Sequence, residues 1–276
     1  MTVGFSFDGS PPVAPRDAAT VLVLRDGDGG PEVFFVRRNA GASFMGGAYV
    51  FPGGRLDPAD CDPDVPCDLD AAEAARRLGE DDAARARGLH VAAIRECLEE
   101  SGILLAVGTV ADETAASLRR ALEGRTPAPI GPALRAAGVT LAARALVPLS
   151  RWVTPKLETR RFDARFFLAR APERVGHAAH DGSETVASAW LSPREAIERA
   201  RRREIVLAPP TWRTLESLLG VRLVDEVIAR APAALTTIEP DVVLDGDTAC
   251  VVLPESGELA TRFRYDDGYW MPLPFL

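Results

Sequence analysis

Runs of apolar and polar residues divide the chain into short strands and amphipathic helices. β-Rich runs at 18–24 and 32–38 flank a glycine-rich turn, which predicts a hairpin. A short strand at 48–51 leads into the loop 52–54, whose two glycines permit backbone angles that other residues resist. From 55 to 70 the chain is rich in Asp and Pro, and we expect irregular structure there.

Capping residues predict where several helices begin. Asp70 with Glu73 predicts one helix start, and Ser192 with Glu195 predicts another. A long helix is predicted at 82–101, and a break at Gly88 is left open. Further helices are predicted at 112–123, 132–137, 211–219 and 221–231. Further strands are predicted at 146–153, 162–169 and 185–191. A last hairpin is expected around Asp245 and Gly246.

Composition is that of an ordinary globular protein. Of the 276 residues, 47% are hydrophobic and 26% are charged, which is enough to bury a core. The net charge of −8 argues against a nucleic-acid partner, because such binding needs a surplus of basic side chains on one face. No stretch reaches the roughly 18 apolar residues of a membrane helix, so we expect a cytoplasmic protein. The four cysteines are too scattered for a disulfide scaffold, and we expect reduced thiols.

The segment from Arg95 to Ile103 carries the most informative group of side chains. Glu96, Glu99 and Glu100 are spaced i, i+3 and i+4, so a helix places the three carboxylates on one face. Hard divalent cations such as Mg²⁺ bind several oxygen ligands, and neighbouring carboxylates supply both ligands and compensating charge. The carboxylates repel one another, and a bound cation would remove that repulsion. The pattern therefore predicts a metal site.

A solvated helix face is the alternative interpretation of these glutamates. The flanking residues argue against it, because the apolar segments 91–94 and 103–105 predict that the helix enters a core. Gly102, which follows the acidic residues, fits a left-handed C-terminal cap. We therefore prefer the metal site.

Together with Gly53 and Gly54, this segment resembles the Nudix box of the Nudix hydrolase superfamily. That box has the pattern G-x5-E-x7-R-E-U-x-E-E-x-G-U, in which U is an aliphatic residue. Gly54 matches its first glycine, and its second half is matched by Arg95-Glu96-Cys97-Leu98-Glu99-Glu100-Ser101-Gly102-Ile103, with Cys97 at an aliphatic position.

The first half of the box departs from the pattern at two points. The spacing from Gly54 ends at Asp60 rather than Glu, and 27 additional residues separate this position from Arg95. An insertion that loops out is tolerable, since a longer closed loop adds only modest entropy. Asp60 could orient the loop or bind metal. The spaced Asp residues at 60–70 partly match a calcium-binding loop, but a solvated acidic loop is the preferred interpretation, because the glycine and the closing glutamate of such a loop are missing.

The resemblance implies an α+β fold, a Nudix-type α/β/α sandwich around a mixed sheet with helical insertions. We expect the Nudix hydrolase domain at residues 15–231. One insertion at 61–87 would interrupt the box, and a helical insertion would occupy 106–143. Residues 232–276 are predicted to form a C-terminal extension with a β-hairpin.

The resemblance also implies roles for the residues of the box. Glu99 and Glu100 are the expected metal ligands, with Glu96 as a further ligand or a base that orients water. Arg95 would support the site by pairing with Glu99. The glycine loop, Gly53 and Gly54, would approach the metal and the substrate phosphates closely, because no side chain obstructs it.

Residues outside the box are further candidates. Glu184 is the first candidate for a general base and Glu158 the second, although either is also expected as an ordinary surface glutamate. Arg160, Arg161 and Arg165 are candidates for binding substrate phosphates through bidentate contacts. A structural ion pair is the alternative role for Arg165.

The predicted reaction is hydrolysis of the diphosphate linkage of a nucleoside-diphosphate derivative with Mg²⁺ or Mn²⁺. The interrupted box and the runs 151–155 and 161–168 resemble the Nudix branch of coenzyme A and acyl-coenzyme A diphosphatases, so these are the leading substrates. NADH, ADP-ribose and nucleotide sugars are alternatives, as is a non-catalytic Nudix domain that senses a nucleotide. A homodimer is compatible with these expectations, and neither a nucleic-acid nor a membrane partner is expected.

Overall fold

The computed structural model describes residues 11–41, 45–123, 129–173, 185–246, 248–254 and 261–273. Its helices are α1 (Ala71–Leu78), α2 (Ala83–Ser101), α3 (Asp112–Leu122), α4 (Ile130–Ala137), α5 (Pro193–Arg201), α6 (Pro209–Ser217) and α7 (Val224–Ala229). Its strands are β1 (Arg16–Gly27), β2 (Gly30–Arg38), β3 (Tyr49–Val50), β4 (Gly53–Arg55), β5 (Val147–Val153), β6 (Phe162–Arg170), β7 (Thr185–Leu191), β8 (Thr237–Ile238), β9 (Asp241–Asp245), β10 (Thr248–Val252), β11 (Arg262–Asp266) and β12 (Tyr269–Pro272). In these ranges no helix combines the length and apolar character needed to cross a membrane.

The larger sheet is mixed, as expected. Its strand order is β3-β2-β1-β6-β5-β8, with β4 also paired to β1 and β7 to β2. Strand β1 is parallel to β6 and antiparallel to β2. Along β1, Val21 and Val23 pack in the core cluster that contains Ile94 of α2, whereas Leu22 packs in the opposite cluster with Trp212 of α6. Helices therefore cover both faces of the sheet, which confirms the predicted α/β/α sandwich.

The predicted first hairpin is present, but the glycine loop that follows it is more regular than expected. Strands β1 and β2 close at the pair Gly27–Gly30, which leaves a two-residue turn. The residues predicted as a loop instead form β4, in which Gly53 and Gly54 pair with Thr20 and Ala19 of β1. This pairing depends on residues far apart in sequence, so the local glycine signal could not show it.

Helix α2 runs unbroken through Gly88 and carries the Glu96–Glu100 segment at its C-terminal end. It begins after Asp82, whose side chain accepts a hydrogen bond from the backbone N–H of Arg85. It ends at Gly102, which has the predicted left-handed conformation, with φ at 74°. The predicted burial of the apolar residues 91–94 is confirmed, since none of these side chains has exposed surface.

A buried ion network joins the region predicted as the box insertion to the sheet. Arg165 of β6 has no exposed surface and lies between Glu80, which precedes α2, and Asp17 of β1. Its Nη1 also contacts the Asp163 carboxylate at 3.0 Å. Removing one partner from a buried ion pair costs about 3–5 kcal/mol. The network therefore holds α1 and the start of α2 against the sheet.

The C-terminal region forms more than the predicted hairpin. Strands β9 to β12 make a four-stranded antiparallel sheet in chain order. It packs on the main body through Phe263, whose ring centroid lies 6.2 Å from that of Trp212. Strand β8, placed by prediction in the C-terminal extension, pairs with β5 of the larger sheet. The division into a domain and an extension at residue 231 stays a prediction, while the four cysteines are free thiols as expected.

Candidate active site

The glycine loop and the acidic turn, which we define as Glu96, Glu99 and Glu100, lie against each other. The Gly53 N–H donates to Glu100 Oε2 at 3.0 Å. A Cβ atom on Gly54 would overlap the carboxyl group of Glu96, so any larger residue there would displace that carboxylate. The two halves of the interrupted box therefore meet in space, although the insertion separates them in sequence.

Arg95 organises two of the three carboxylates. Its Nη1 donates to Glu96 Oε1 at 2.9 Å and to Glu99 Oε1 at 3.2 Å. The second contact is the ion pair between residues i and i+4 that the sequence predicts. Arg95 Nη2 also donates to the carbonyl oxygen of Arg55, directly after the two glycines of β4. One guanidinium thus connects the acidic turn to the end of the glycine loop.

Asp60 anchors Arg95 from the other side, and the expectation of a solvated loop is wrong for this residue. Asp60 has no exposed surface. Its Oδ1 accepts from Arg95 Nε at 2.8 Å and its Oδ2 from Arg95 Nη2 at 2.9 Å. Asp60 Oδ2 also accepts from the backbone N–H of Asp57, which caps the 3-10 turn Pro58–Cys61. The sequence did carry a signal for this role, because Asp60 lies at the position where the box spacing from Gly54 expects Glu. Asp is shorter than Glu by one CH₂ group, yet it still reaches Arg95.

The charge balance at this site favours a cation. The Arg95 guanidinium contacts three carboxyl groups, those of Asp60, Glu96 and Glu99. Burial raises the pKa of Glu99 to about 7; Arg95 opposes this shift and Glu96 adds to it. Across the described residues, no three His, Cys, Asp or Glu side chains converge as a ready-made ligand cluster. The donors nevertheless fit Mg²⁺ or Mn²⁺, because the turn offers several carboxylate oxygens and an excess of negative charge.

Side chains from two other elements hold the backbone of the acidic turn. The last carbonyl groups of a helix have no partner within the helix. Arg119 Nε, from α3, donates to the carbonyl oxygen of Glu99 at 3.0 Å. Thr185 Oγ1, from β7, donates to that of Glu100 at 3.4 Å. Neither residue was predicted for the site, since no sequence signal shows that α3 packs beside the end of α2.

Two of the three arginines predicted to bind phosphate already contact other groups of the protein. Arg165 is enclosed in the buried ion network, so the structure places it in its alternative, structural role. Arg161 is buried as well, and its donors reach two backbone carbonyl oxygens and Glu239. A phosphate would have to displace these partners, so the prediction that Arg161 and Arg165 bind substrate phosphates is not supported. Arg160 is exposed between β5 and β6.

The two candidates for a general base differ in what the structure shows. Glu184 lies outside the described residues, so its role stays a prediction. Glu158 lies in the loop between β5 and β6, and burial raises the pKa of its carboxyl group to about 7. A carboxyl group with such a pKa can exchange a proton near neutral pH.

A mixed sheet between helical layers, with carboxylates of one helical turn against a glycine loop, is the Nudix arrangement. A family model described as the NUDT19 Nudix domain matches residues 70–218. The chain is 31% identical over 259 residues to acyl-coenzyme A diphosphatase NUDT19 of Gallus gallus, covering 71% of this chain and 66% of that protein. It is 28% identical over 288 residues to the Homo sapiens protein of the same name, covering 82% of this chain and 71% of that protein.

A solved structure supports the same assignment. The crystal structure of a NUDIX hydrolase from Alicyclobacillus acidocaldarius matches with a TM-score of 0.63 and 28% sequence identity, covering 80% of this chain and 98% of that chain. This chain belongs to the Nudix superfamily and, within it, to the family of the NUDT19 Nudix domain. It spans 66% and 62% of the length of two of its curated relatives.

Proposed function

We propose that this chain is a divalent-metal-dependent diphosphatase that hydrolyses coenzyme A or acyl-coenzyme A. The observation that carries the proposal is the contact between the acidic turn and the glycine loop, in which Gly53 binds Glu100 and Gly54 leaves room for Glu96. The names of the relatives supply the substrate class. NADH, ADP-ribose and nucleotide sugars contain the same diphosphate linkage and are alternative substrates.

Each residue of the site has a distinct part in this proposal. Glu96, Glu99 and Glu100 would hold Mg²⁺ or Mn²⁺. When bound, these ions neutralise the diphosphate and lower the pKa of the attacking water. Arg95, fixed by Asp60, orients Glu96 and Glu99 and limits their mutual repulsion. The glycine loop keeps side chains away from the place where the phosphates approach.

The reaction adds one water across the P–O–P bridge. The water oxygen forms a bond to one phosphorus, and the bond from that phosphorus to the bridging oxygen breaks. One proton of the water passes to a base, for which Glu184 and Glu158 are the candidates. Two phosphate-bearing products result, and no oxidant or further substrate is consumed.

Product analysis tests the proposal. The purified protein with Mg²⁺ or Mn²⁺ would be given coenzyme A, an acyl-coenzyme A, NADH, ADP-ribose and a nucleotide sugar in H₂¹⁸O, with products identified by mass spectrometry. We expect coenzyme A or its thioester to be cleaved fastest, with one ¹⁸O atom in one product. Binding of a nucleotide without any cleavage would instead identify a sensor.

A further inference from the structure

Arg38 is the last residue of strand β2, and it belongs neither to the Nudix box nor to the predicted site. Along β2, the side chains of Phe34 and Val36 pack in the core cluster that contains Ile94 of α2. Phe35 packs in the cluster on the opposite face of the sheet. Because successive side chains of a strand alternate between faces, Arg38 projects to the face that α2 covers.

The strand beside β2 brings Arg38 close to the acidic turn. Arg38 pairs with Thr185 of β7, and the preceding Arg37 pairs with Ala187. The extra residue at this register shift, Val186, therefore belongs to β7, and the alternation of side chains along β2 is kept. Directly opposed residues of an antiparallel pair project to one face, with Cβ atoms about 5 Å apart. Thr185 is the residue whose Oγ1 donates to the carbonyl oxygen of Glu100. Arg38 is therefore a neighbour of the contact that holds the end of the acidic turn.

The guanidinium of Arg38 lacks an anionic partner among the described residues. The side chain is partly buried, and its Nε atom is buried without a hydrogen-bond partner. Arg95 and Arg165, by contrast, donate to carboxylates and backbone oxygens. Buried donors in folded proteins are normally paired. An acceptor that arrives with a ligand would satisfy this one.

We propose that Arg38 binds a phosphate group of the substrate, an inference that rests on the function proposed above. A guanidinium offers two parallel N–H donors that match two phosphate oxygens. A substrate whose diphosphate lies at the acidic turn brings phosphate oxygens to the sheet face on which Arg38 lies. The diphosphate itself and the 3′-phosphate of coenzyme A share this chemistry, and the choice of substrate distinguishes them.

Arg37 provides a matched control for the experiment. It precedes Arg38 on the same strand, projects to the opposite face and is exposed. The variants Arg38→Gln, Arg38→Lys and Arg37→Gln would be assayed with coenzyme A and with its analogue that lacks the 3′-phosphate. For coenzyme A, we expect Arg38→Gln to lower kcat/KM about 10–100-fold, mainly through KM, as loss of a charged hydrogen bond does. Arg38→Lys should recover part of this loss, and Arg37→Gln should stay within about twofold of the wild type.

The outcomes separate this inference from the proposed function. If the penalty disappears with the analogue, Arg38 binds the 3′-phosphate; if it persists, Arg38 binds the diphosphate. An Arg38→Gln protein that folds and matches Arg37→Gln on both substrates overturns the inference alone. If Arg38→Gln does not fold, Arg38→Lys decides: a raised KM at an unchanged melting temperature supports the inference, and wild-type kinetics overturn it. If the wild type cleaves neither substrate, the proposed function fails. Calorimetric titration with coenzyme A then tests Arg38 directly. Equal affinity of the wild type and Arg38→Gln, or no binding by either protein, would overturn the inference.

Discussion

Asp60 and Arg95 form a bidentate ion pair across 35 residues of sequence, with distances of 2.8 Å and 2.9 Å between their paired atoms. The pair connects the turn before the box insertion to the helix that carries the acidic residues. Because Arg95 in turn orients Glu96 and Glu99, the geometry of the acidic turn depends on a residue that the box pattern matches only approximately.

Asp60→Asn should therefore reduce both stability and activity. The change removes the charge of the one carboxylate that binds Arg95 through two hydrogen bonds, while Glu96 and Glu99 remain in contact with it. Breaking a buried ion pair costs about 3–5 kcal/mol, and we expect a loss of unfolding free energy up to that size. Urea denaturation and a turnover assay would measure the two effects. Asp64→Asn, an exposed change in the same loop, should leave both close to wild type. Wild-type stability of Asp60→Asn would show that the ion pair is dispensable.

Glu99→Gln and Glu100→Gln should each lower turnover by about 10²–10³-fold, the scale on which loss of one charge-stabilising catalytic group acts. Folding should be preserved, since each change relieves repulsion within the turn, and the amide oxygen introduced by Glu100→Gln can still accept from the Gly53 N–H. Steady-state kinetics over a range of Mg²⁺ concentrations, with melting temperatures, would measure this. The exposed Glu113→Gln on α3 serves as the control. Near-wild-type rates in both variants would refute the assignment of the acidic turn.

Arg119→Gln should impair catalysis more than stability. The change removes the donor to the Glu99 carbonyl oxygen and lets the C-terminal end of α2 shift. We expect a lower kcat and a higher Mg²⁺ requirement, with little change in the KM for the substrate. Arg120→Gln, at the next and exposed position of α3, is the matched control. Equal Mg²⁺ dependence in the two variants would mean that Arg119 does not position the turn.

His90 should make the protein less stable in mild acid. Burial in α2 lowers its pKa to about 4, while its Nδ1 bonds to the Ala86 carbonyl oxygen at 2.8 Å. Below pH 6.5, the ordinary pKa of histidine, His90 binds a proton in the unfolded chain, whereas in the folded protein it stays neutral until about pH 4. The free energy of unfolding therefore falls between pH 6.5 and pH 4, by up to about 3 kcal/mol. Urea denaturation of wild type and His90→Gln at pH 7 and pH 5 would test this, and an equal loss of stability in both proteins would contradict it.

Local signals in the sequence predicted the helices and the acidic turn. Asp70 caps α1 through the Glu73 N–H, and Ser192 caps α5 through the Glu195 N–H, as their spacing indicated. The position of the three glutamates on one turn of α2 follows from helix geometry alone. These features depend on residues within a few positions of one another, which is why a single sequence could show them.

Features that depend on distant pairings were missed or misjudged. Gly53 pairs with Thr20 of β1 rather than lying in a loop, and the burial of Asp60 depends on Arg95. Arg165 looked like a phosphate ligand on its strand, but its position beside Glu80 follows from how the box insertion folds back. Arg38 had one local signal, its place in the alternation with Phe34 and Val36. Its proximity to the acidic turn required the pairing of β2 with β7.

We expect the acidic turn to bind divalent cations opposite the glycine loop. A crystal soaked in Mn²⁺ and measured at the manganese absorption edge would show whether it does. Anomalous density should appear among the carboxylates of Glu96, Glu99 and Glu100, on the side that faces Gly53 and Gly54. Well-ordered carboxylates with no manganese between them and the glycines would contradict it.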